Sequence, residues 1–310
     1  MVAAFLDERK PVPTQRLLIL ANPISGGGKS RALAPALQRE LAQRGVAAEV
    51  YFTTCAGDAT ARARAAAGEP WSGLIAVGGD GTVNEVLAGM DDPTRPLGVL
   101  PVGTANVLAM ELRLPKRPAD AAAVIAAGHM RSLAIGIAND RRFLLFIGAG
   151  VDGSVVQRLA QVRSGTLGKH KWAGPILHTV RHWPRWRLRA TFADGQVLDD
   201  LSSVLVTRVR NYGGVMQLTP DIDPDDGLLH VLCFRMRSRT AWAWQGLRAL
   251  LHRLRPGPHL TVRTATSLRI DGDPAPWQID GDFGGIAPLA ISLHELRARV
   301  FAPAVVGSRR

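Results

Sequence analysis

The 310-residue sequence predicts an α/β protein with two domains, an N-terminal parallel α/β domain and a C-terminal antiparallel β-sandwich domain. Two observations lead to this prediction. Short apolar runs alternate with helical patterns in the first third of the chain, which is typical of a parallel sheet covered by helices. From Arg131 onward apolar runs recur with few long helices between them, which is typical of stacked antiparallel strands.

The elements of the first domain follow one another in a regular order. Residues 16–22 are predicted to form a buried strand, and residues 29–44 a helix whose leucines recur every fourth position. The strands "VAAEVYFT", "GLIAVGG" and "PLGVLP" then alternate with the helices "GDATARARAAAG" and "TVNEVLAGM". We assign residues 1–130 to this domain, with residues 295–310 as a candidate for its completion, and residues 131–294 to the second domain.

The second domain is rich in predicted strands, with two helical interruptions. Its apolar runs are "SLAIGIA", "RFLLFIGAG", "WRLRATFA", "SSVLVTRV", "LLHVLCF", "TSLRI" and "LAISL". The segments "SGTLGKHKWAGPILHTVRHW" and "TAWAWQGLRALLHRLR" have the apolar spacing of helices instead. Both carry tryptophans beside basic residues, a pattern found at membrane interfaces and also on helices that pack on a sheet.

Composition and charge narrow the class of protein. Hydrophobic residues make up 46% of the chain, the two cysteines give no disulfide framework, and no apolar run is long enough to span a membrane. The N-terminus lacks the basic start and long apolar core of a signal peptide, so a cytoplasmic protein is expected. The net charge of +12 lies mainly in the second half and suits anionic partners. Because no nucleic-acid-binding motif is present, an anionic membrane surface is expected rather than a nucleic acid.

Two glycine-rich turns follow strands of the first domain. "NPISGGGKS" ends in Gly-Lys-Ser, as a Walker A loop does, but Pro23 stands where that motif requires its first glycine. "GGDGT" lets the backbone approach a ligand closely and precedes a helix whose free N–H groups suit phosphate. Asp80 in this turn is either a ligand for Mg²⁺ or a helix cap. Because both turns lie at the same edge of the predicted sheet, a phosphate site is favoured.

Two acidic segments stand out in the basic second half. Residues 221–228, "DIDPDDGL", offer hard oxygen ligands that suit Mg²⁺, although Pro-Asp-Asp-Gly is also a strong turn sequence. Asp280-Gly281-Asp282 is either a pair of functional carboxylates or a hairpin turn with two solvated aspartates. The residues alone leave both choices open.

Several motifs occur in an order that resembles the diacylglycerol kinase catalytic-domain family, which includes bacterial soluble lipid kinases related to sphingosine and ceramide kinases. "GGDGTVNEV" is similar to its nucleotide-binding signature, and "NPISGG", "TTCAGDA" and "LPVGTANVLA" are similar to its neighbouring motifs. "NYGGVMQLTPDIDPDDGLLHV" and "IDGDFGG" resemble its two later motifs, so the resemblance spans nearly the whole chain. It implies a two-domain lipid kinase that binds ATP and Mg²⁺, with ATP in the cleft between the domains.

The resemblance also implies roles for particular residues. The nucleotide-binding positions are Asn22, Ser25, Thr53, Gly79, Asp80, Gly81, Thr82, Asn84, Glu85 and Thr104. A structural Mg²⁺ would be held by the Asp226 carboxylate with the main-chain carbonyls of Asp223 and Leu228. Asp282 stands where the family has a glutamate that acts as general base. Asp280 would orient the acceptor or act as the base itself, and Asp80 completes the catalytic set.

Three positions depart from the family's pattern. Ala134 and Val107 stand where many relatives carry an acid, and Asp282 is one methylene shorter than the expected glutamate. These departures would weaken the acid network around the metal, or indicate another acceptor or low activity. Asp152 lies in a glycine-rich segment similar to one in the family and is expected to support the cleft.

We therefore expect an ATP-dependent lipid kinase, a phosphotransferase whose default acceptor is diacylglycerol. An NAD kinase is the first alternative, because that related family also uses Gly-Gly-Asp-Gly-Thr, although "DGLLHV" and "DGDFGG" favour the lipid branch. A lipid-binding relative with weak or lost catalysis is the second alternative. The acceptor hydroxyl and the oligomeric state are not predicted.

Overall fold

The computed structural model describes residues 15–162, 173–182, 185–214, 216–219 and 222–304. Predictions that concern residues 1–14, Trp172, Trp183, Asp221 or residues 305–310 lie outside these ranges.

The first domain has the predicted alternation of strands and helices. Its elements are β1 (Arg16–Ala21), α1 (Ser30–Ala42), β2 (Ala47–Phe52), α2 (Asp58–Ala65), β3 (Gly73–Gly78), α3 (Asp80–Gly89), β4 (Leu97–Pro101), α4 (Val107–Glu111) and α5 (Pro118–Ala127). The strands pair in parallel in the order β2-β1-β3-β4. Helix α1 buries Ala34, Leu37 and Leu41, as the spacing of its apolar residues predicts.

Helices α4 and α5 are not among the elements that the sequence pattern predicts. Helix α5 has Pro118 in its first turn and ends at Gly128, whose φ of 72° is left-handed, so both of its ends carry ordinary helix signals. Its buried face consists of Ala121, Ala122 and Ile125, and this small apolar stripe is hard to distinguish within an alanine-rich run.

The second domain is mostly antiparallel. Its elements are β5 (Met130–Ala138), β6 (Arg141–Phe143), β7 (Phe146–Gly150), α6 (Val151–Val162), α7 (Ala173–Arg181), β8 (Leu188–Phe192), β9 (Val197–Leu201), β10 (Ser203–Thr207), β11 (Asn211–Tyr212), β12 (Met216–Gln217), β13 (Leu229–Phe234), α8 (Arg239–Leu250), β14 (Leu260–Ala265), β15 (Ser267–Gly272), β16 (Pro276–Ile279), β17 (Asp282–Ile286) and β18 (Leu289–Phe301). A six-stranded sheet of order β14-β13-β10-β7-β16-β17 packs on strands of a second sheet, which confirms the β-sandwich. Phe143, Val204, Trp277 and Ile291 are buried in its core.

Strand β18 connects the two domains. It runs parallel to β4 at Val300 and antiparallel to β5 and β15, so a single ten-stranded sheet passes through both domains. The predicted boundary between residues 130 and 131 falls at the start of β5 inside this sheet, and the described part of residues 295–310 lies largely on β18. The two predicted domains therefore share a sheet.

Helix α6 occupies the glycine-rich segment around Asp152, where the sequence predicts no helix. A Cβ on Gly153 would lie 2.0 Å from the carbonyl oxygen of Pro276, so the glycine lets α6 pack closely against β16. Within the described ranges, no helix has both the length and the apolar character needed to cross a membrane.

Candidate functional site

Glycine-rich turns meet at the carboxyl ends of β1, β3 and β4. After β1, the Asn22 N–H donates to the Val77 carbonyl at 3.1 Å, and the Asn22 Oδ1 accepts the Ile24 N–H at 3.2 Å. Three consecutive glycines follow, with φ values of 62°, 69° and 92° at residues 26–28. A Cβ on Gly26 would lie 2.5 Å from the Val102 carbonyl oxygen, so this turn lies directly against the turn after β4.

The turns after β3 and β4 also touch each other. A Cβ on Gly103 would lie 2.4 Å from the Gly79 Cα, so only glycine permits this approach. Asn106 follows with a left-handed φ of 50°, and its Nδ2 donates to the Gly103 carbonyl at 2.7 Å. The Oδ1 of Asn106 is buried and finds no hydrogen-bond partner in the described part of the chain. An unpaired buried acceptor at this edge fits a ligand that donates hydrogen bonds.

Asp80 links two of these turns. Its Oδ2 accepts the Val107 N–H at 2.9 Å and its Oδ1 accepts the Leu108 N–H at 3.2 Å, so the carboxylate caps α4. Burial raises the pKa of Asp80, and these main-chain hydrogen bonds oppose that shift. The sequence suggests Asp80 as a cap for the helix that follows it, but the structure shows it at the start of α4 and gives α3 no side-chain cap. A contact between Asp80 and Mg²⁺ stays a prediction.

The other predicted nucleotide-binding residues lie along the same edge. Ser25, Gly79, Gly81, Thr82 and Thr104 lie in the turns themselves or in the first turn of α3, and Thr53 follows β2 with its N–H bonded to the Ala21 carbonyl at 2.9 Å. Thr82 is buried against Gly78, where a Cβ would lie 2.3 Å from the threonine Oγ1. Glu85 lies half-buried one turn further along α3. The predicted nucleotide-binding residues therefore lie together at one edge of the sheet, while their contact with a nucleotide stays a prediction.

Asp280 is a buried structural carboxylate in this arrangement. It is 6% exposed, its φ is 49°, and its oxygens accept the N–H groups of Leu144, Leu145 and Phe146 at 3.1, 3.1 and 2.7 Å. Burial raises the pKa of Asp280 to about 6, while the three main-chain donors and the nearby Asn84 side chain oppose that shift. These donors fix the turn after β16, and a contact between Asp280 and an acceptor stays a prediction.

The Asn84 side chain of the first domain lies near Asp280 of the second, close to the predicted catalytic residues. Asn84 lies one turn along α3 from Asp80, and Asp282 follows two residues after Asp280 at the start of β17. The Asp282 side chain is exposed, beside the exposed Phe283 of the same strand. The structure thus brings α3 next to the turn that carries Asp282.

A second network, which the sequence does not predict as a unit, supports the Asp282 turn. Tyr212 donates its hydroxyl to Asp152, the Gln278 Nε2 donates to the Asp152 Oδ2 at 2.8 Å, and the Gln278 Oε1 accepts the Gly281 N–H at 2.8 Å. Burial raises the pKa of Asp152, and burial beside that carboxylate raises the pKa of Tyr212. Asp152 thus contacts a residue of the Asp282 turn's support, and its role in a cleft stays a prediction; Tyr212 lies in the motif "NYGGVMQLTPDIDPDDGLLHV" without an assigned role, and no motif marks Gln278.

The predicted metal ligands surround a guanidinium group. Arg208 donates through Nη1 to the Leu228 carbonyl and through Nη2 to the Pro224 carbonyl at 3.0 Å, and its Nη1 lies 3.6 Å from the Asp226 Oδ1. The Asp223 carbonyl faces the Asp226 N–H at 3.4 Å. No cluster of three or more acidic, histidine or cysteine side chains in the described ranges could hold a metal ion. The guanidinium contacts the Asp226 and Leu228 oxygens that the resemblance assigns to Mg²⁺, and the binding of the ion at this turn stays a prediction.

Polar contacts fix the second domain against the first around this site. The Glu111 Oε2 accepts the main-chain N–H of Arg210 at 3.1 Å and the Asn211 Nδ2 at 2.8 Å. On the other side, the Arg142 Nη1 donates to the Met90 carbonyl at the end of α3 at 2.6 Å. A cavity of about 690 Å³ lies elsewhere, lined by paired arginines and aspartates of β8, β9 and β15, and none of the predicted site residues lines it.

Comparison with known proteins agrees with this organisation. The diacylglycerol kinase catalytic domain model matches residues 16–138, and the YegS C-terminal NAD kinase beta sandwich-like domain model matches residues 146–302. The diacylglycerol kinase of Bacillus subtilis (strain 168) is 30% identical over 286 residues, which cover 88% of this chain and 92% of the relative. That of Staphylococcus carnosus (strain TM300) is 28% identical, with coverages of 93% and 95%.

Solved structures share the fold over almost the full length. A crystal structure from Bacillus anthracis str. Sterne matches with a TM-score of 0.77 and 25% identity, covering 96% of this chain and all of that chain. A crystal structure of a diacylglycerol kinase from the same organism matches with a TM-score of 0.72 and 22% identity, which shows the fold alone. With both domain models and relatives of full length in agreement, the chain belongs to the diacylglycerol kinase family of two-domain kinases.

Proposed function

We propose that the protein transfers the γ-phosphoryl group of ATP to a hydroxyl group of a lipid, with diacylglycerol as the default acceptor. The observation that supports this proposal is the meeting of the glycine-rich turns after β1, β3 and β4, with Asn84 of α3 close enough to Asp280 to lower its pKa, two residues before Asp282. Phosphoryl transfer needs a nucleotide and an acceptor hydroxyl held in line, with little further covalent chemistry for the protein.

The nucleotide would lie against the three turns. The glycines at residues 26–28, 79 and 103 leave no side chain between the main chain and a ligand, although the Gly28 and Gly103 N–H groups already donate within the turns. Main-chain N–H groups of glycine turns, together with the N-terminus of α3, favour phosphate. The unpaired Oδ1 of Asn106 would accept a hydrogen bond from the nucleotide. Mg²⁺ bound to ATP would supply charge neutralisation of the phosphates.

Asp282 is the proposed general base. Its side chain is exposed, and so are the apolar side chains of Phe283 and Ile286 on the same strand. A lipid alcohol would place its chains on those side chains and its hydroxyl near the carboxylate. The carboxylate would take the hydroxyl proton as the new O–P bond forms and the bond between the γ-phosphorus and the β–γ bridging oxygen breaks, with ADP as the leaving group. Asp280 and Gln278 would hold the turn without touching the substrate.

The test is transfer of label from γ-labelled ATP to mixed vesicles that contain diacylglycerol. We expect a labelled lipid with the wild type, a loss of about 10²–10³-fold in kcat with Asp282→Asn, and wild-type turnover with Asp140→Asn, an exposed aspartate of the β5–β6 turn. The Asp282→Glu variant restores the family's residue and should keep at least wild-type activity. Full kcat in Asp282→Asn would refute the base assignment, and no label transfer with any lipid would refute the kinase proposal in favour of a weak, lipid-binding relative.

An NAD kinase is the second candidate, because the β-sandwich model that matches residues 146–302 is described as NAD kinase-like. The same assay decides between the two acceptors. NAD in place of lipid vesicles should give no labelled product, whereas label in NADP and none in lipid would transfer the proposal to that alternative.

We also propose that the chain acts in the cytoplasm, as a peripheral protein on an anionic bilayer. Trp244 and Leu247 on α8 and Leu251 at its C-cap are 57%, 45% and 56% exposed and recur at helical spacing on one side. Arg239 and Arg248 lie on the same helix, within a stretch from residue 231 to 270 that has no acidic residue. An exposed apolar stripe beside fixed positive charge is complementary to anionic lipid.

Flotation with vesicles tests the membrane proposal. Leu247→Gln with Leu251→Gln should weaken binding to vesicles that contain phosphatidylglycerol, while Leu296→Gln, which changes an equally exposed leucine on β18, should not. Added salt should weaken the wild type's binding because the arginines contribute through charge. Equal binding by all variants would show that α8 is not the contact surface.

A further inference from the structure

The acidic turn of residues 222–228 is built around arginine side chains. The Arg208 guanidinium, 2% exposed, lies among the Leu228 and Pro224 carbonyls and the Asp226 carboxylate. The Asp226 Oδ1 also accepts the Leu228 N–H at 2.8 Å, and its Oδ2 lies 2.8 Å from the His230 Nε2, a buried nitrogen that forms no hydrogen bond within the described residues. The oxygens that the family resemblance assigns to a metal therefore already have partners.

We propose that Arg208 takes the place of the structural divalent cation in this chain, so that the turn of residues 222–228 folds and stays ordered without metal. The inference goes beyond the kinase proposal, because it concerns the scaffold and leaves the Mg²⁺ that accompanies ATP untouched.

A guanidinium suits this position for physical reasons. It presents several N–H donors in one plane, so it can donate to the Leu228 and Pro224 carbonyls at the same time. It also carries a permanent positive charge opposite the Asp226 carboxylate. Burial lowers the pKa of Arg208 and Asp226 opposes that shift, but arginine titrates so far above neutrality that the group stays charged.

Neighbouring arginines bind the rest of the turn. The Arg131 Nη2 lies 2.6 Å from both carboxylate oxygens of Asp225, the Arg297 Nη2 donates to the Ser132 carbonyl at 2.9 Å beside the turn, and the Arg210 Nε donates to the Ile222 carbonyl at 2.5 Å. The acidic character that suggests a metal site in the sequence is thus matched by side-chain cations from β5, β18 and the chain after β10. A divalent cation would add charge to a turn that already has its counterions.

The first experiment compares the thermal unfolding of the wild type in EDTA and in millimolar Mg²⁺, without nucleotide, together with the metal content after dialysis. We expect the same Tm in both conditions and less than stoichiometric metal. A Tm that falls in EDTA and recovers with Mg²⁺, along with bound metal that Asp226→Asn releases, would overturn the proposal. Neither readout depends on catalysis, so a failure of the kinase proposal would not affect the result.

A variant then asks whether the position becomes a metal site when the guanidinium is removed. Arg208→Gln should lower the Tm and create a rise of a few degrees on addition of Mg²⁺, and the further change Asp226→Asn should abolish that rise. The matched control is Arg142→Gln, which also removes a guanidinium from two main-chain carbonyls, those of Met90 and Leu87, outside the acidic turn of residues 222–228. It should lose stability with no Mg²⁺ response.

If Arg208→Gln does not fold, Arg208→Lys keeps a positive charge at the same place and should unfold at the same Tm in EDTA and Mg²⁺. A Mg²⁺-dependent Tm in Arg208→Lys as large as in the glutamine variant would overturn the role of the charge.

Discussion

The Gln278 side chain offers the sharpest test of how the proposed base is positioned. It is 1% exposed and joins Asp152 to the main-chain N–H of Gly281, the residue between Asp280 and Asp282. Gln278→Leu keeps the approximate size of the side chain and removes both hydrogen bonds. The turn that carries Asp282 then loses one of its two supports, while the three N–H contacts of Asp280 remain.

The size of the stability loss follows from the two groups that lose a hydrogen bond, the Asp152 carboxylate and the Gly281 N–H. A buried polar group without its partner costs about 1–3 kcal/mol, and Asp152 keeps only Tyr212 as a donor after the change. Gly281 is only half-buried, so water can satisfy its N–H and its cost lies at the low end of that range. We therefore expect a loss of about 3 kcal/mol in the free energy of unfolding, and a loss of about 10–100-fold in kcat because the base is misplaced.

Initial rates with labelled ATP, measured alongside thermal unfolding, test this expectation. The KM for ATP should change by less than about twofold, since the glycine turns do not contact Gln278, and this split separates positioning from general damage. Gln245→Leu is the matched control, because Gln245 is also buried, at 6% exposure, and lies on α8 away from the turn. Wild-type kcat in Gln278→Leu, or an equal loss of kcat in Gln245→Leu, would refute the reasoning.

Three further changes probe other parts of the site. Gly103→Ala should raise the KM for ATP by about tenfold with a smaller change in kcat, because its Cβ would lie 2.4 Å from Gly79 and force the turns apart; unchanged nucleotide affinity would contradict this. Asp280 binds its proton more tightly in the folded state, since its pKa is raised to about 6. The protonated carboxyl therefore contributes to the free energy of unfolding in full below about pH 4, and this contribution falls by about 3 kcal/mol as the pH rises past that pKa. The difference in Tm between the wild type and Asp280→Asn should decrease over the same pH range. Glu111→Gln should lower the Tm by a few degrees, because the Glu111 carboxylate accepts three N–H groups from Arg210 and Asn211 across the domains; an unchanged Tm would show that this contact does not hold the domains together.

The sequence predicts the order of the fold well where the periodicity is strong. The parallel strands β1 to β4 and the leucine-spaced helix α1 follow directly from apolar patterns. Helix α6 is not predicted because Gly153 stands in its first turn, and the reason for that glycine is a contact with β16 distant in the sequence. Likewise, the ten-stranded sheet depends on β18, a strand whose pairing with β4 and β5 no local pattern records.

The sequence predicts which residues belong to the site better than it predicts what each of them does. Motif resemblance brings Asp80, Asp280 and Asp282 to attention, but the partners that decide their roles come from other parts of the chain. Asp80 meets N–H groups 27 and 28 residues away, and Asp280 meets N–H groups more than 130 residues away. Arg208 illustrates the same limit, because its place beside Asp226 depends on how β10 and the acidic turn come together.

The shorter side chain of Asp282 is best considered together with the carboxylates that surround it. Asp80, Asp152 and Asp280 are each engaged by N–H or O–H donors that hold a helix end, a glutamine or a turn in place. Among these four aspartates the exposed one is Asp282, and its reach is set by the turn that Asp280 and Gln278 fix. A glutamate at 282 would lengthen the side chain while that turn stays the same. If activity rises in Asp282→Glu, the turn is placed for the family's longer base; if it falls, the turn stands closer to the acceptor in this chain and aspartate is the fitted residue.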